Sequence, residues 1–152
     1  MLAWRIARER HALDRTGAGA ASSGGRWNSA NVPAIYAGLT VEIAAFEKLV
    51  HAGAILPLDL VVVRIDLPDG VALYEKPRLK DLPNGWNELP SSPAAAAFGD
   101  AFLTASERLG LVVPSAVIPE ASNIVVDPRH PRMADLRMEI VRKFAYDPRL
   151  RH

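Results

Sequence analysis

The run Leu60-Val61-Val62-Val63-Arg64-Ile65-Asp66 is strongly strand-like, and Pro68-Asp69-Gly70 follows it at once as a turn into a second strand-like stretch, Val71 to Tyr74. A chain that turns straight from strand to strand omits the crossover helix that a parallel pair needs. The same pattern recurs elsewhere. Leu2 to Ala7, interrupted by Arg5, and Ala34-Ile35-Tyr36-Ala37 read as short strands, as do Leu111 to Ile118 and Asn123 to Val126, separated by Pro119. Leu136, Met138, Ile140 and Phe144 stand at even spacings and predict a last strand. Only two segments read as helices. Thr40 caps one from about Val41 to Ala52, with Glu42 favoured by the dipole in the first turn and Gly53 at the stop. Ser92 followed by Pro93 opens the other, which should run to Leu109 before Gly110 ends it. Short strands with few helices between them predict an α+β fold rather than a doubly wound one.

At 152 residues the chain has the size of a single domain, expected to span 1–152, and 49% apolar with 23% charged residues is a composition that folds. There is no cysteine, which excludes disulfides, thiolate metal sites and a thiol nucleophile. No apolar run approaches the length of a membrane span, and Arg8, Glu9 and Arg10 stand where a signal peptide would need its apolar stretch, so a cytoplasmic protein is expected. The net charge of +1 conceals unlike parts: residues 1 to 26 hold five Arg against two acids, residues 27 to 128 six basic residues against twelve acids, and residues 129 to 152 seven against three. Two basic ends around an acidic middle point to a small anionic ligand rather than to a nucleic acid, whose binders show a broader basic excess.

Glu47 is the sharpest candidate for chemistry. The predicted apolar face of the first helix is Ile43, Phe46 and Val50, and Glu47, four residues after Ile43, projects from the middle of it. A buried carboxylate costs several kcal/mol unless it is paired or hydrogen-bonded, so pairing with an internal Arg competes with a catalytic role. Arg5 interrupts a predicted strand and Arg26 directly follows Gly24-Gly25. Guanidinium groups suit phosphate, and glycines let a ligand approach the backbone, although either Arg alone reads as readily as a salt-bridge residue. Gly17-Ala18-Gly19 is read as lying in a loop with no helix after it, and so not as a dinucleotide-fold fingerprint. Tyr36 and Trp27 are core residues or stacking platforms. Ser115, in Val113-Pro114-Ser115-Ala116, reads as a hydrogen-bond donor rather than a nucleophile. His11, His51, His130 and His152 show no metal-ligand spacing, and no metal is predicted.

Taken together, Trp4-Arg5, Gly24-Gly25-Arg26-Trp27-Asn28, Ala34-Ile35-Tyr36-Ala37, Glu47, Val113-Pro114-Ser115, and Asn123 before Asp127-Pro128-Arg129-His130-Pro131 resemble the RES-domain family, the toxin half of RES–Xre toxin–antitoxin pairs. The resemblance covers nearly the whole chain in order. It implies an ADP-ribosyltransferase-like fold of short, mostly antiparallel strands around a cleft for NAD, which is consumed as substrate. On that likeness Glu47 is the catalytic carboxylate, Arg5 and Arg26 hold the diphosphate and ribose, Tyr36 stacks near the nicotinamide, and Ser115 orients the nucleotide. The implied partner is an Xre-type antitoxin with a helix-turn-helix part that covers the active site. Arginine-modifying relatives of the wider group often carry a second Glu two residues before the catalytic one, and here that position is Ala45. Transfer to water, phosphate or another protein acceptor stays open. The other readings are an RNA-cleaving toxin built on His130 and the basic ends, and a non-catalytic interaction module.

Overall fold

The structure, a computed structural model, describes residues 1–150; Arg151 and His152 lie outside the described residues. The strand-rich pattern becomes one sheet of seven strands: β1 (Leu2–Arg8), β2 (Ile35–Gly38), β3 (Leu60–Asp66), β4 (Tyr74–Glu75), β5 (Gly110–Pro114), β6 (Ser122–Val126) and β7 (Arg137–Phe144). Their order is β4-β5-β6-β2-β1-β3-β7, and every neighbouring pair is antiparallel except β4 with β5. Among the described residues three α-helices accompany it: α1 (Ala18–Ser23), α2 (Val41–His51) and α3 (Pro93–Ala105). The predicted α+β class is the observed one. No helix among the described residues is long and apolar enough to cross a membrane.

Four local expectations change, one being that β5 ends at Pro114 rather than running to Ile118. Val71 to Leu73 forms a single 3-10 turn, and Tyr74 begins β4, which pairs with β5 instead of folding back on β3. Both edges of β3 are already occupied, by β1 and β7. The segment after Gly17 contains α1 where a loop was expected. Gly17 enters it at φ 71°, and its N–H donates to the Asp14 carboxylate at 3.1 Å while the N–H of Ala18 donates to Thr16 Oγ1 at 3.3 Å. Helix α3 stops at Ala105, not Leu109, because Ser106 turns left-handed at φ 51° with its hydroxyl held by the buried Asp127.

Strand alternation assigns the sheet faces. Ala3, Ile35, Ala37, Val61, Val63, Ile65, Ile124 and Val126 pack on one face. The other face carries α2 over Ile6, Leu60 and Val62, and also Tyr36, Leu111, Val113 and Val125, which pack with Trp27, Ala95 and Leu103. Arg5 lies in register with Val63 and so belongs to the first face, whereas Trp4 and Ile6 face α2.

Between β1 and β2 the ladder nearly fails. Strands β1 and β3 pair over seven residues and β2 and β6 over four, but β1 and β2 meet only at Trp4 and Gly38. Helix α2, capped by Thr40 Oγ1 accepting from the N–H of Ile43 at 3.3 Å, lies over this seam against β1, β2 and β6. It can lie so close because Gly38 has no side chain: a Cβ there would stand 2.7 Å from Ile43 Cγ2 and 2.8 Å from the Ala44 nitrogen. The helix therefore buries Ile43 and Ala44, while Phe46 and Val50, expected inside, are 40% and 54% exposed. The bare backbone of Gly38 seats Ile43 and Ala44 against the sheet and leaves Phe46 and Val50 turned outward.

A second close approach sets α3 against the Gly24–Asn28 segment. A Cβ on Gly99 would fall 1.7 Å from the carbonyl oxygen of Trp27, a backbone atom that could yield only by moving its loop. Gly99→Ala is accordingly expected to destabilise the fold by about 1–3 kcal/mol, the usual cost of overpacking. Urea denaturation followed by tryptophan fluorescence should show the lower midpoint, and an unchanged midpoint would contradict this account of the α3 contact.

Candidate active site

Helix α2 brings Glu47 over β6 and the connection between β5 and β6. One carboxylate oxygen, Oε1, accepts from Ser115 Oγ at 2.8 Å and from Asn123 Nδ2 at 2.6 Å. Ser115 is fully buried just past the end of β5, where its hydroxyl also accepts from the N–H groups of Val117 and Ile118 at 3.0 and 3.1 Å. The other oxygen, Oε2, has His51 Nδ1 at 3.9 Å, and the Glu47 side chain keeps 24% of its surface exposed. This answers the question of the inward carboxylate. Glu47 is paired with two neutral donors rather than an Arg, and it retains an oxygen that a ligand could reach.

Tyr36 belongs to the same sheet face. Its strand pairs Tyr36 with Val125 and Gly38 with Asn123, so Tyr36 and Asn123 are diagonal neighbours, roughly 7–8 Å apart between backbones. The Tyr36 hydroxyl donates to Asn28 Oδ1 at 2.6 Å and accepts from the N–H of Trp27 at 3.1 Å. Burial pushes the phenol well above its ordinary value of 10, with Asp100 adding to the effect and the Trp27 N–H and Arg26 opposing it.

The Gly24–Asn28 segment is a tight loop closed by the bridge between Gly25 and Asn28. Asn28 is buried and holds three strands of chain together, since its Nδ2 donates to the carbonyls of Ala20 and Val32 at 2.9 Å and of Ser29 at 3.2 Å. Trp27 is buried against Trp86, ring centroids 6.3 Å apart, which settles it as core. Arg26 projects from the loop and donates through Nη1 to the carbonyls of Trp86 and Glu88 at 2.8 and 2.9 Å. Among the described residues, neither its Nη2 nor its Nε is engaged in a hydrogen bond.

Arg5 stands apart from this group. It points to the opposite sheet face, where Nη2 donates to the carbonyls of Ala12 and Asp14, and its buried Nε is unpartnered. Burial lowers the guanidinium's pKa, with Asp14 opposing the shift. His130 is buried too, and its Nδ1 accepts from the N–H of Arg132 at 3.0 Å as a cap on the turn that follows. Of the sequence candidates, then, Glu47 and Ser115 come into direct contact, Tyr36 and Arg26 lie on the same side, and Arg5 does not join them. Asn28 and Asn123 stood in the motifs without a role. The signal available for Asn123 was an amide directly before Ile124, Val125 and Val126 in a strand, a position asparagine disfavours.

A split, mainly antiparallel sheet with one carboxylate-bearing helix laid across its seam defines an α+β fold of a known kind. A chain of the MbcT–MbcA toxin–antitoxin complex of M. tuberculosis superposes with a TM-score of 0.70, at 23% identity, over 98% of this chain and 85% of that one. The chain belongs to the RES-domain family, whose RES domain matches residues 2–148. Among its relatives, the Prs ADP-ribosylating toxin of Sphingobium sp. (strain YBL2) is 38% identical over 97% of this chain and 94% of its own length. Toxin Res of Yersinia enterocolitica is 32% identical over 99% of this chain and 100% of its own.

The Tyr36 hydroxyl supplies a test of the loop's construction. Tyr36→Phe leaves Asn28 Oδ1 and the Trp27 N–H short of a partner, and is expected to cost about 1–3 kcal/mol at neutral pH. A phenol whose pKa is raised on folding holds its proton in the folded state where the unfolded chain loses it. Stability from this group is therefore present below pH 10 and is lost as pH rises above it. Denaturation between pH 9 and 11 should show a shallower alkaline decline in Tyr36→Phe than in the wild type.

Proposed function

We propose that the protein is the toxin of a toxin–antitoxin pair and that it cleaves the bond between nicotinamide and ribose in NAD. The observation that carries this reading is the carboxylate of Glu47, held at one oxygen by Ser115 and Asn123 on a side chain that keeps 24% of its surface exposed. Cleavage sends the electron pair of the C–N bond to the nicotinamide nitrogen and leaves oxocarbenium character on the ribose. A fixed carboxylate beside that ribose stabilises the developing positive charge, and its open oxygen can accept the 2′-hydroxyl. Arg26 contributes its remaining guanidinium donors to the diphosphate, and Tyr36, with its hydroxyl already bound inside, offers its ring to the nicotinamide. Arg5 has no part in this reading, because its head group serves backbone carbonyls on the far side of the sheet.

Family membership and the relative named as an ADP-ribosylating toxin support NAD as substrate and favour one second reading, transfer of ADP-ribose to a protein. Ala45 leaves α2 without the second carboxylate that arginine-modifying relatives often carry, which favours an acceptor other than arginine. A protein antitoxin as partner is supported by the complex in which the structural neighbour is found. The RNA-cleaving reading loses its residue, because His130 is buried and capping a turn.

Purified protein incubated with NAD is expected to release nicotinamide, read by chromatography, and Glu47→Gln to lower the rate at least about 100-fold with the melting temperature preserved, in line with removal of one electrostatic stabiliser. Full activity in Glu47→Gln would overturn the role given to it. Mass spectrometry for ADP-ribose adducts on cell proteins separates transfer to protein from transfer to water or phosphate.

A further inference from the structure

We propose that Ser115 and Asn123 are positioning residues that select which oxygen of Glu47 does the work, and that Ser115, with its hydroxyl fully committed, does not touch the nucleotide. This rests on Glu47 being the working carboxylate, but it replaces the nucleotide-orienting role that the family resemblance implies for Ser115.

A serine hydroxyl has one proton to give and two lone pairs to fill. The N–H groups of Val117 and Ile118 take the lone pairs at 3.0 and 3.1 Å, so the proton is directed along the remaining line, to Glu47 Oε1 at 2.8 Å. With Ser115 fully buried, no capacity is left for a ligand. Asn123 reaches the same oxygen from β6, where its backbone is locked between Gly38 on one side and Val113 on the other. Only the Nδ2 end of its amide can face an ionised carboxylate, which accepts and cannot donate.

Both donors converge on one oxygen. A half-turn of the carboxylate about its terminal bond would exchange the oxygens chemically but would pass through a state in which both bonds are broken. The pair therefore holds the carboxylate plane, and Oε2 is left to meet the ribose from a fixed direction. Positioning of this kind acts on the rate of the chemical step and leaves ground-state binding of NAD largely alone.

The test uses the full chain and two readouts. Asn123→Leu keeps the volume and removes the donor; Asn123→Ala and Ser115→Ala serve as further variants, Ser115→Ala with the reservation that it also strands two N–H groups. With NAD as substrate, each is expected to lower kcat about tenfold or more and to change KM less than about twofold. In NAD-free protein, carbon-13 relaxation of the Glu47 side-chain methylenes is expected to show a more mobile carboxylate arm in each variant that melts as a folded protein. Variants that raise KM tenfold and keep kcat would mean that these side chains bind NAD, and would overturn the proposal. A Glu47 arm as rigid as in the wild type would overturn it as well, whatever the NAD assay reads. If the wild type neither releases nicotinamide nor modifies protein while Asn123→Leu still frees the Glu47 arm, the NAD reading fails and the positioning of Glu47 stands.

Discussion

The site depends on how closely α2 approaches the sheet at Gly38. The ladder between β1 and β2 is reduced to a single rung, and a helix laid over that gap must make up the contact the strands do not supply. With any side chain at position 38, the Ile43 methyl and the Ala44 backbone would be pushed away. Glu47, one turn further along the same face, would then be lifted from Ser115 and Asn123, whose bonds to it are under 3 Å. A missing side chain on a strand thus governs the geometry of a carboxylate on a helix. Packing at this density transmits displacements of a few tenths of an ångström rather than absorbing them.

The loops on both faces of the sheet are fixed by a further means. Beside buried anchors such as Trp27 and Met133, side chains donating to main-chain carbonyls hold them. Arg5 ties down the chain at Ala12 and Asp14, Arg15 reaches the carbonyls of Met133 and Leu136 at 2.6 and 2.9 Å, and Arg26 takes those of Trp86 and Glu88. Asn28 does the same at the centre of its loop. Three of the five arginines in the first 26 residues are used in this way, so the basic character of that segment is in large part structural. Hydrogen bonds from charged donors contribute about 1.5–3 kcal/mol each, enough to fix the path of a loop between its buried anchors.

Several elements were legible from local pattern alone. The run from Leu60 to Asp66 is a strand over its whole length, and Thr40 and Ser92 cap the helices that follow them. In each case a short-range rule, β-branching or a side chain that bonds a nearby N–H, points the same way as the tertiary structure. The errors share the opposite cause. Helix α1 is short, contains Gly19 and is flanked by Gly17, Gly24 and Gly25, and it is stabilised from outside by Asp14, Thr16 and Asn28. Tyr74 and Glu75 joined β5 because β3 was already flanked on both sides. The orientation of α2 followed Gly38 rather than the bulk of Phe46 and Val50.

The sequence by itself determined the α+β class and the family, and it singled out Glu47, because a carboxylate among apolar helical positions is a local anomaly that needs no partner to be noticed. Which oxygen of Glu47 is held, and by what, came only from the tertiary structure. Ser115 and Asn123 lie 68 and 76 residues away in the chain and meet Glu47 only because β5, β6 and α2 converge at the seam. The placement of Arg5 was decided in the same way. Alternation fixes which side chains share its face, but which face becomes the site depends on where α2 docks, and that is a property of the assembled sheet.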